Sequence, residues 1–488
     1  MTQNKLPENS AFTNQLISLA AKELSLEEKN SLSLIISALF NDLDLGHSCS
    51  ILSNAAVDLS LDDRHCEPLH SKGVLGHCEP LFTMAWQSFN IIKLLLKSNL
   101  ACEYSDFPLE LKPLPISILN IKNKQLVYIT KYLQYELDIL NKIKLLSDFQ
   151  DICYYQETSL RASFTRRGNP PDYAQYNSEP VQLLEGLSAR SGIPNQEQLQ
   201  AIINSLKQKF SIITGGPGTG KTTTVAILLW LLYQNYGNEL KVKICAPTGK
   251  ASKRVKDSIQ NSINHTKLKE LDFSLAQSLL DNRNNFLTIH KLLGYQANSI
   301  YFKHNKNNPL DLDVLIVDES SMVSLPLFSK LLQAIDMDKI KHVILLGDKN
   351  QLSSVEEGYV FASLVNAPSL KQHVSSLAIS NRSNKEIGDL AAAVQAEETS
   401  LRALFTRRGN PNKIKSYKAK LSDLFDKQLF SKLDNSLSQY FKYVMRADLT
   451  DIQQLFEEFN RQIVLCLTNV GLFGTIYLNA QIEKKVKY

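Results

Sequence analysis

The sequence predicts an α/β fold, a parallel sheet with crossover helices, preceded by a mostly helical N-terminal region. Four short apolar runs, "KFSIIT", "VKICAP", "DVLIVDE" and "HVILLGD", each end in Gly, Pro or acidic residues. Helical stretches separate them, and strands that alternate with helices form parallel sheets. The first run leads into a glycine-rich turn and then an apolar helix, "SIITGGPGTGKTTTVAILLWLL", residues 211–232. In such sheets ligands bind beyond the carboxyl ends of the strands. All four runs carry their polar residues at that end.

Residues 1–150 show helical spacing of apolar positions in "NQLISLAAKELSLEEKNSLSLIISALFNDL" and again in "LVYITKYLQYELDILNKIKLL". This region holds no catalytic constellation and reads as a docking or support domain. Residues 151–190 are polar and rich in Pro, Gly and Tyr, which reads as a linker. Residues 191–375 contain the strand–helix alternation, and 376–488 form a further domain.

Two repeats interrupt this plan. "ETSLRASFTRRGNP" at 157–170 returns as "ETSLRALFTRRGNP" at 398–411, differing only at Ser163 against Leu404. Solenoid repeats come at short, regular intervals, so the pair reads as a duplicated insert, similar to the palindromic elements that insert in frame in some intracellular bacteria. "RHCEPLHSKGVLGHCEPLF" repeats "HCEPL" at a twelve-residue offset. His65, Cys66, His77 and Cys78 bear a superficial likeness to zinc ligands. Adjacent His-Cys pairs point two side chains in different directions, whereas zinc modules space each pair by two to four residues.

Composition narrows the class. The chain has 488 residues, 43% hydrophobic and 21% charged, enough for two or three domains with their own cores. A formal charge of +5 permits a polyanionic partner without demanding one. The N-terminus lacks the basic and apolar regions of a signal peptide, and no apolar run approaches the ~18 residues of a bilayer span. Seven scattered cysteines suit reduced thiols rather than a disulfide framework. A cytoplasmic protein with no membrane partner is expected.

The glycine-rich turn satisfies G-x-x-x-x-G-K-[ST]. Gly215, Gly216, Pro217, Gly218, Thr219 and Gly220 form a loop tight enough for backbone N–H groups to converge on phosphate oxygens, at a helix N-terminus whose dipole favours anions. Lys221 would neutralise β- and γ-phosphates, Thr222 would ligate Mg²⁺, and Thr223 completes the cradle. "VLIVDES" ends an apolar strand in Asp318 and Glu319. Two adjacent carboxylates there are costly without a cation, which assigns Asp318 to Mg²⁺ and Glu319 to the attacking water. In "LLGDKNQLSSVEEG", Gln351 follows a strand end and is placed to sense a γ-phosphate. The expected cofactors are ATP and Mg²⁺.

The order "GGPGTGKTTT", "APTGKASKR", "TIHKLLG", "VDESSMV", "GDKNQLSSVEEG" resembles superfamily 1 helicases, and within them the exodeoxyribonuclease V alpha-subunit (RecD) family. "LGHSCSIL", "VYITKYLQYE" and "FNRQIVLCLTNVGLFGTIYLNAQIEKK" resemble that family's terminal segments, so the likeness covers most of the chain. It implies a RecA-like P-loop NTPase sheet, an N-terminal helical domain and an incomplete second RecA-like domain. It further implies a 5′-to-3′ DNA helicase subunit, with beta and gamma subunits as partners, in a RecBCD-type complex for double-strand break repair and recombination. The N-terminal domain would meet the gamma subunit. By the same resemblance Gln198 reads adenine, Arg382 reaches the γ-phosphate, and Thr248, Lys250, Thr288 and His290 contact single-stranded DNA. Family members continue into a "TVHKSQGSEF"-like motif and a final "TRA" motif, whereas this sequence ends at Tyr488. The alternative expectation is therefore a truncated ATP-binding, non-motor subunit or a decaying gene product.

Overall fold

The computed structural model describes, with short gaps, parts of residues 24–52 and residues 95–147, 178–379 and 465–486. Both copies of the duplicated insert, the "HCEPL" repeat with His65, Cys66, His77 and Cys78, and Arg382 lie outside the described residues. The chain divides into two compact units, Met1–Gly388 and Asp389–Tyr488.

The described residues of 28–39 are helical, as expected, and a sheet follows them where more helix was expected. Strands β1 (Cys49–Leu52), β2 (Ala101–Tyr104), β3 (Ile116–Ile121) and β4 (Lys124–Ile129) pair in the order β1-β4-β3-β2. "KQLVYI" is a strand because its β-branched and aromatic residues meet β3 on one edge and β1 on the other. Helical spacing in "LVYITKYLQYELDIL" is genuine only from Thr130 onward. There helix α1 (Thr130–Ser147) begins and buries Leu133, Leu137, Ile139, Ile143 and Leu146.

Helix α1 then leans on the large sheet's own layer. Its Ile139, Ile143 and Leu146 join the apolar cluster that contains Phe328, Leu331 and Leu332. Lys142 Nζ donates to the Ile335 carbonyl at 2.9 Å, and Gln333 donates to Asp138. Burial raises the Asp138 carboxyl, and the hydrogen bonds from Gln134, Ser329 and Gln333 oppose that rise. The last part of the segment read as a linker is helix α2 (Ser178–Ser191), whose Leu184 and Leu187 enter the core.

The large sheet has six strands, all parallel, in the order β10-β5-β9-β8-β6-β7. They are β5 (Phe210–Gly215), β6 (Val242–Ala246), β7 (Phe286–Thr288), β8 (Val314–Val317), β9 (His342–Gly347) and β10 (Val374–Leu377). Four match the apolar runs. Alternate residues face opposite layers: Val314, Ile316, Ile344 and Leu346 pack one way, Leu315, Val317, Val343 and Leu345 the other. Helices α3 (Gln196–Lys207), α4 (Lys221–Tyr236), α5 (Gly249–Ile263) and α6 (Ser274–Asp281) cover the first face, and the short α7 (Ile289–Leu292), α8 (Leu325–Gln333) and α9 (Val360–Asn366) the second. Helix α4 is buried nearly all round, from Thr224 to Tyr233, as expected of a helix apolar on every face. Each such Leu, Ile or Val contributes about 1.5–3 kcal/mol by leaving water, which holds the loop at the start of α4 to the sheet.

In the second unit the described residues form a turn with Gly471 at φ +98° and helix α10 (Thr475–Val486). Among the described residues no helix is long and apolar enough to cross a membrane.

Candidate active site

The carboxyl ends of β5, β8 and β9 bring together the residues expected to handle phosphate. Strand β5 runs into the loop at Gly215, and Gly218 (φ +80°) and Gly220 (φ +84°) take the left-handed conformation that side chains resist. Gly220 is the N-cap of α4, so Lys221, Thr222 and Thr223 form its first turn with free N–H groups. Lys221 Nζ folds back on the loop and donates to the carbonyls of Gly215 and Gly216, the latter at 3.1 Å. Burial lowers its pKa, while Asp348, Asp318 and Glu319 act to raise it. These three carboxylates identify the electrostatic environment of the lysine: an acidic strand edge.

Asp318 follows directly on β8, and burial pushes its carboxyl up to about 6, with the neighbouring Glu319 charge adding to the rise and the Glu319 N–H opposing it. A carboxylate so desolvated is stabilised by a cation, and Thr222 and Asp318 offer hard oxygen ligands of the kind Mg²⁺ takes. Glu319 adopts φ +52°, ψ +39°, a strained left-handed conformation for a residue with a side chain. It turns the chain out of β8 into the 3-10 turn Ser320–Met322. Strain stored at the end of a buried strand points to a constrained site rather than to packing.

Beyond β9, Asp348 accepts from Asn350 N–H at 3.0 Å, and Gln351 N–H donates to the Asp348 carbonyl at 3.1 Å. Ser321 Oγ donates to Gln351 Oε1 at 2.8 Å. This link between the β8 and β9 loops was missed in the sequence, where Ser321 carries no signal of its own.

Gln198 sits elsewhere than on an open face. It is 2% exposed, its Oε1 accepts from Asn195 N–H at 3.0 Å, and its Nε2 donates to the Thr219 carbonyl at 3.1 Å. The side chain closes a capping box on α3 and braces the phosphate loop. One N–H and one lone pair remain for a base.

A second constellation lies at the neighbouring strand ends. Ala246 of β6 pairs with Thr288 of β7. Thr248 caps α5 by accepting from Ala251 N–H, and Thr288 caps α7 by accepting from Lys291 N–H, each at 3.2 Å. Thr248, Lys250 and His290 are exposed, and Thr288 is half-buried. His290 packs edge-on against Phe302 at a centroid distance of 5.8 Å. The structure thus groups Thr248, Lys250, Thr288 and His290 on one sheet edge. No metal-binding cluster of His, Cys, Asp and Glu occurs among the described residues.

Known proteins resemble the chain over this region. A family model described as "AAA domain" matches residues 198–357, from the Gln198 brace to beyond Gln351. The RecBCD enzyme subunit RecD of Haemophilus influenzae is 45% identical over 168 residues, 34% of this chain and 26% of that protein. RecD of Buchnera aphidicola subsp. Acyrthosiphon pisum is 29% identical over 337 residues, 62% of this chain and 54% of that protein. Over these stretches the chain is similar to RecD proteins named as subunits of the RecBCD enzyme. The ATP-dependent RecD2 DNA helicase of Deinococcus radiodurans is 35% identical over 184 residues, 38% of this chain and 21% of that protein. The matches span only 26%, 54% and 21% of the length of these relatives.

Proposed function

We propose that the chain is the ATP-driven, 5′-to-3′ motor subunit of a RecBCD-type complex, moving on single-stranded DNA during double-strand break repair and recombination. The observation that carries this reading is the meeting of Lys221, Asp318, Glu319 and Gln351 at one sheet edge, beside the capped helices bearing Thr248 and Thr288. The relatives' printed names, a RecBCD enzyme subunit and a DNA helicase, support the same class.

In this reading, the N–H groups of the loop and of the first turn of α4 bind the nucleotide's phosphates. Lys221 exchanges the Gly215 and Gly216 carbonyls for β- and γ-phosphate oxygens. Thr222 and Asp318 would hold Mg²⁺, which supplies positive charge to the phosphates when bound. Glu319, held by its strained backbone next to Asp318, orients the attacking water and takes its proton. Gln351 donates to the γ-phosphate and loses that bond on hydrolysis, and Arg382 is assigned to the same phosphate. Gln198 braces the loop, with its remaining N–H and lone pair available to adenine. Thr248, Lys250, Thr288 and His290 hold the DNA strand, with sequence-independent contacts. The beta and gamma subunits are the proposed partners, the gamma subunit against the N-terminal region.

ATP turnover by the purified chain, with and without single-stranded DNA and with its partner subunits, tests the reading. Removing one preorganised donor costs about 10²–10³ in rate, so Lys221→Ala should abolish DNA-stimulated turnover to that extent. Turnover that ignores both DNA and Lys221→Ala would sink the proposal.

A further inference from the structure

The end of β10 is held at the nucleotide site by one side chain that the motifs above leave without a role. Glu197 Oε2 accepts two backbone hydrogen bonds, from Ala378 N–H at 2.8 Å and Ile379 N–H at 3.0 Å. These are the residues by which the chain leaves the large sheet and runs on towards Asp389, where the second compact unit begins. Glu197 lies in the first turn of α3, immediately before Gln198, whose amide holds the Thr219 carbonyl.

The other side of the same segment touches the phosphate loop directly. Leu377 pairs with Gly215 in the β10–β5 register. The approach is so close that a Cβ on Gly215 would lie 2.8 Å from the Leu377 carbonyl and 2.7 Å from Thr219 Oγ1. Asn204, two turns further along the same face of α3, donates to Ser375 Oγ at 3.3 Å. Residues 375–379 are thus clasped between α3 and the loop that carries Gly215 to Gly220. A shift of the loop on nucleotide binding reaches Leu377 by contact at Gly215 and reaches Ala378 and Ile379 through Gln198 and Glu197.

We propose that Glu197 is a positioning residue that latches the exit of the motor sheet to the phosphate loop, so that nucleotide occupancy is transmitted to residues 377–379. The inference rests on the nucleotide-site reading given above. An acid in the first turn of a helix also interacts favourably with the helix dipole, but that role asks nothing of Ala378 and Ile379.

The test measures amide hydrogen exchange at Ala378 and Ile379 in the full-length chain, alone and with saturating mant-ADP and Mg²⁺, in wild type, Glu197→Ala and Glu197→Gln. Affinity for mant-ADP is measured in parallel by fluorescence. Loss of hydrogen bonds to a charged acceptor should speed exchange at both amides by roughly tenfold or more in Glu197→Ala. Glu197→Gln keeps an acceptor oxygen and should restore part of the protection, which also controls for misfolding. Nucleotide should change exchange at these amides in wild type and not in Glu197→Ala, and mant-ADP affinity should shift in Glu197→Ala by about the factor by which nucleotide changes exchange in wild type, because the coupling is reciprocal. An equal nucleotide response in Glu197→Ala and wild type would overturn the latch alone. Failure of wild type to bind mant-ADP would overturn the nucleotide-site reading, and the latch with it.

Discussion

At the amino end of the six-stranded sheet Lys341 pairs with Asp313 and Lys241 with Asp311, whereas at the carboxyl end Lys221 turns away from the acids around it and onto loop carbonyls. Asp313 also accepts the Lys241 N–H at 2.9 Å, and Lys209 donates to the Met337 carbonyl at 2.8 Å. His342 is 1% exposed, donates from Nδ1 to the Gln208 carbonyl at 2.9 Å and approaches Tyr236 Oη with Nε2 at 3.1 Å. A carbonyl only accepts, so Nδ1 carries the proton and Nε2 accepts from the tyrosine. Among the described residues no ion pair joins Lys221 to Asp318, Glu319 or Asp348. One end of the sheet has satisfied its charges internally; the other holds them apart, with a strained Glu319 between them. The first arrangement serves stability, and the second is the one the proposed nucleotide site requires.

The largest expected effect breaks the carboxyl end without touching the fold. Asp318→Asn removes a carboxylate whose charge burial disfavours, and leaves a neutral side chain of the same shape. ATP turnover should fall by about 10²–10³, while the melting temperature stays level or rises. A loss of activity accompanied by a large drop in melting temperature would place Asp318 with the structural residues of the amino end instead.

The amino end should answer to pH. Burial pushes His342 down to about 4 from its ordinary 6.5, and the nearby Lys341 and Lys209 charges push the same way. A depressed histidine is neutral in the folded protein while the unfolded chain takes up a proton. The stability it supports is therefore complete above pH 6.5 and is lost as the pH falls from 6.5 to 4. At about 1.4 kcal/mol per unit, roughly 3 kcal/mol is at stake over that window. Denaturant titrations at pH 7 and pH 5 should show a steep loss in wild type and a shallower one in His342→Gln. Equal slopes would mean that the ring is not held neutral.

How much of this was readable beforehand follows the range of the interactions involved. The four strands with continuous apolar runs and the phosphate loop were readable because those runs and turn chemistry are local. Strand β7 has three residues and β10, "VSSL", is half polar, so neither shows an apolar run, and β10 crosses the boundary expected at 375. The N-terminal sheet was masked because "LVYI" fits a helical pattern once joined to the true helix that follows it at Thr130. Gln198 was expected to face a base, and its commitment to Thr219 depends on a residue 21 positions away. Glu197 and Ser321 act across 181 and 30 positions, respectively, to partners that no motif marks.

A milder change probes the amino end from another side. Asp313→Ala leaves the Lys241 N–H and the Lys341 ammonium without their acceptor. A lost hydrogen bond of this kind costs about 1–2 kcal/mol. Thermal melts should register that cost, and turnover per folded molecule should stay unchanged. A selective loss of turnover would show that the two ends are not separable.

The smallest effect is the most specific to the carboxyl end. A glutamine amide can present either its oxygen or its NH₂ to a phosphate, and only the NH₂ can donate. The Ser321 hydroxyl, donating to Oε1, fixes the amide with its NH₂ free. Ser321→Ala should therefore leave ADP affinity unchanged and weaken the preference for ATPγS over ADP by about fivefold, the worth of one hydrogen bond near 1 kcal/mol. Ser321→Thr keeps the hydroxyl and should restore the preference. Gln351→Ala should lower it at least as far, and Ser321→Ala added to Gln351→Ala should lower it no further. Two losses that simply add would show that the hydroxyl and the amide act separately, since partners in one interaction are expected to be non-additive.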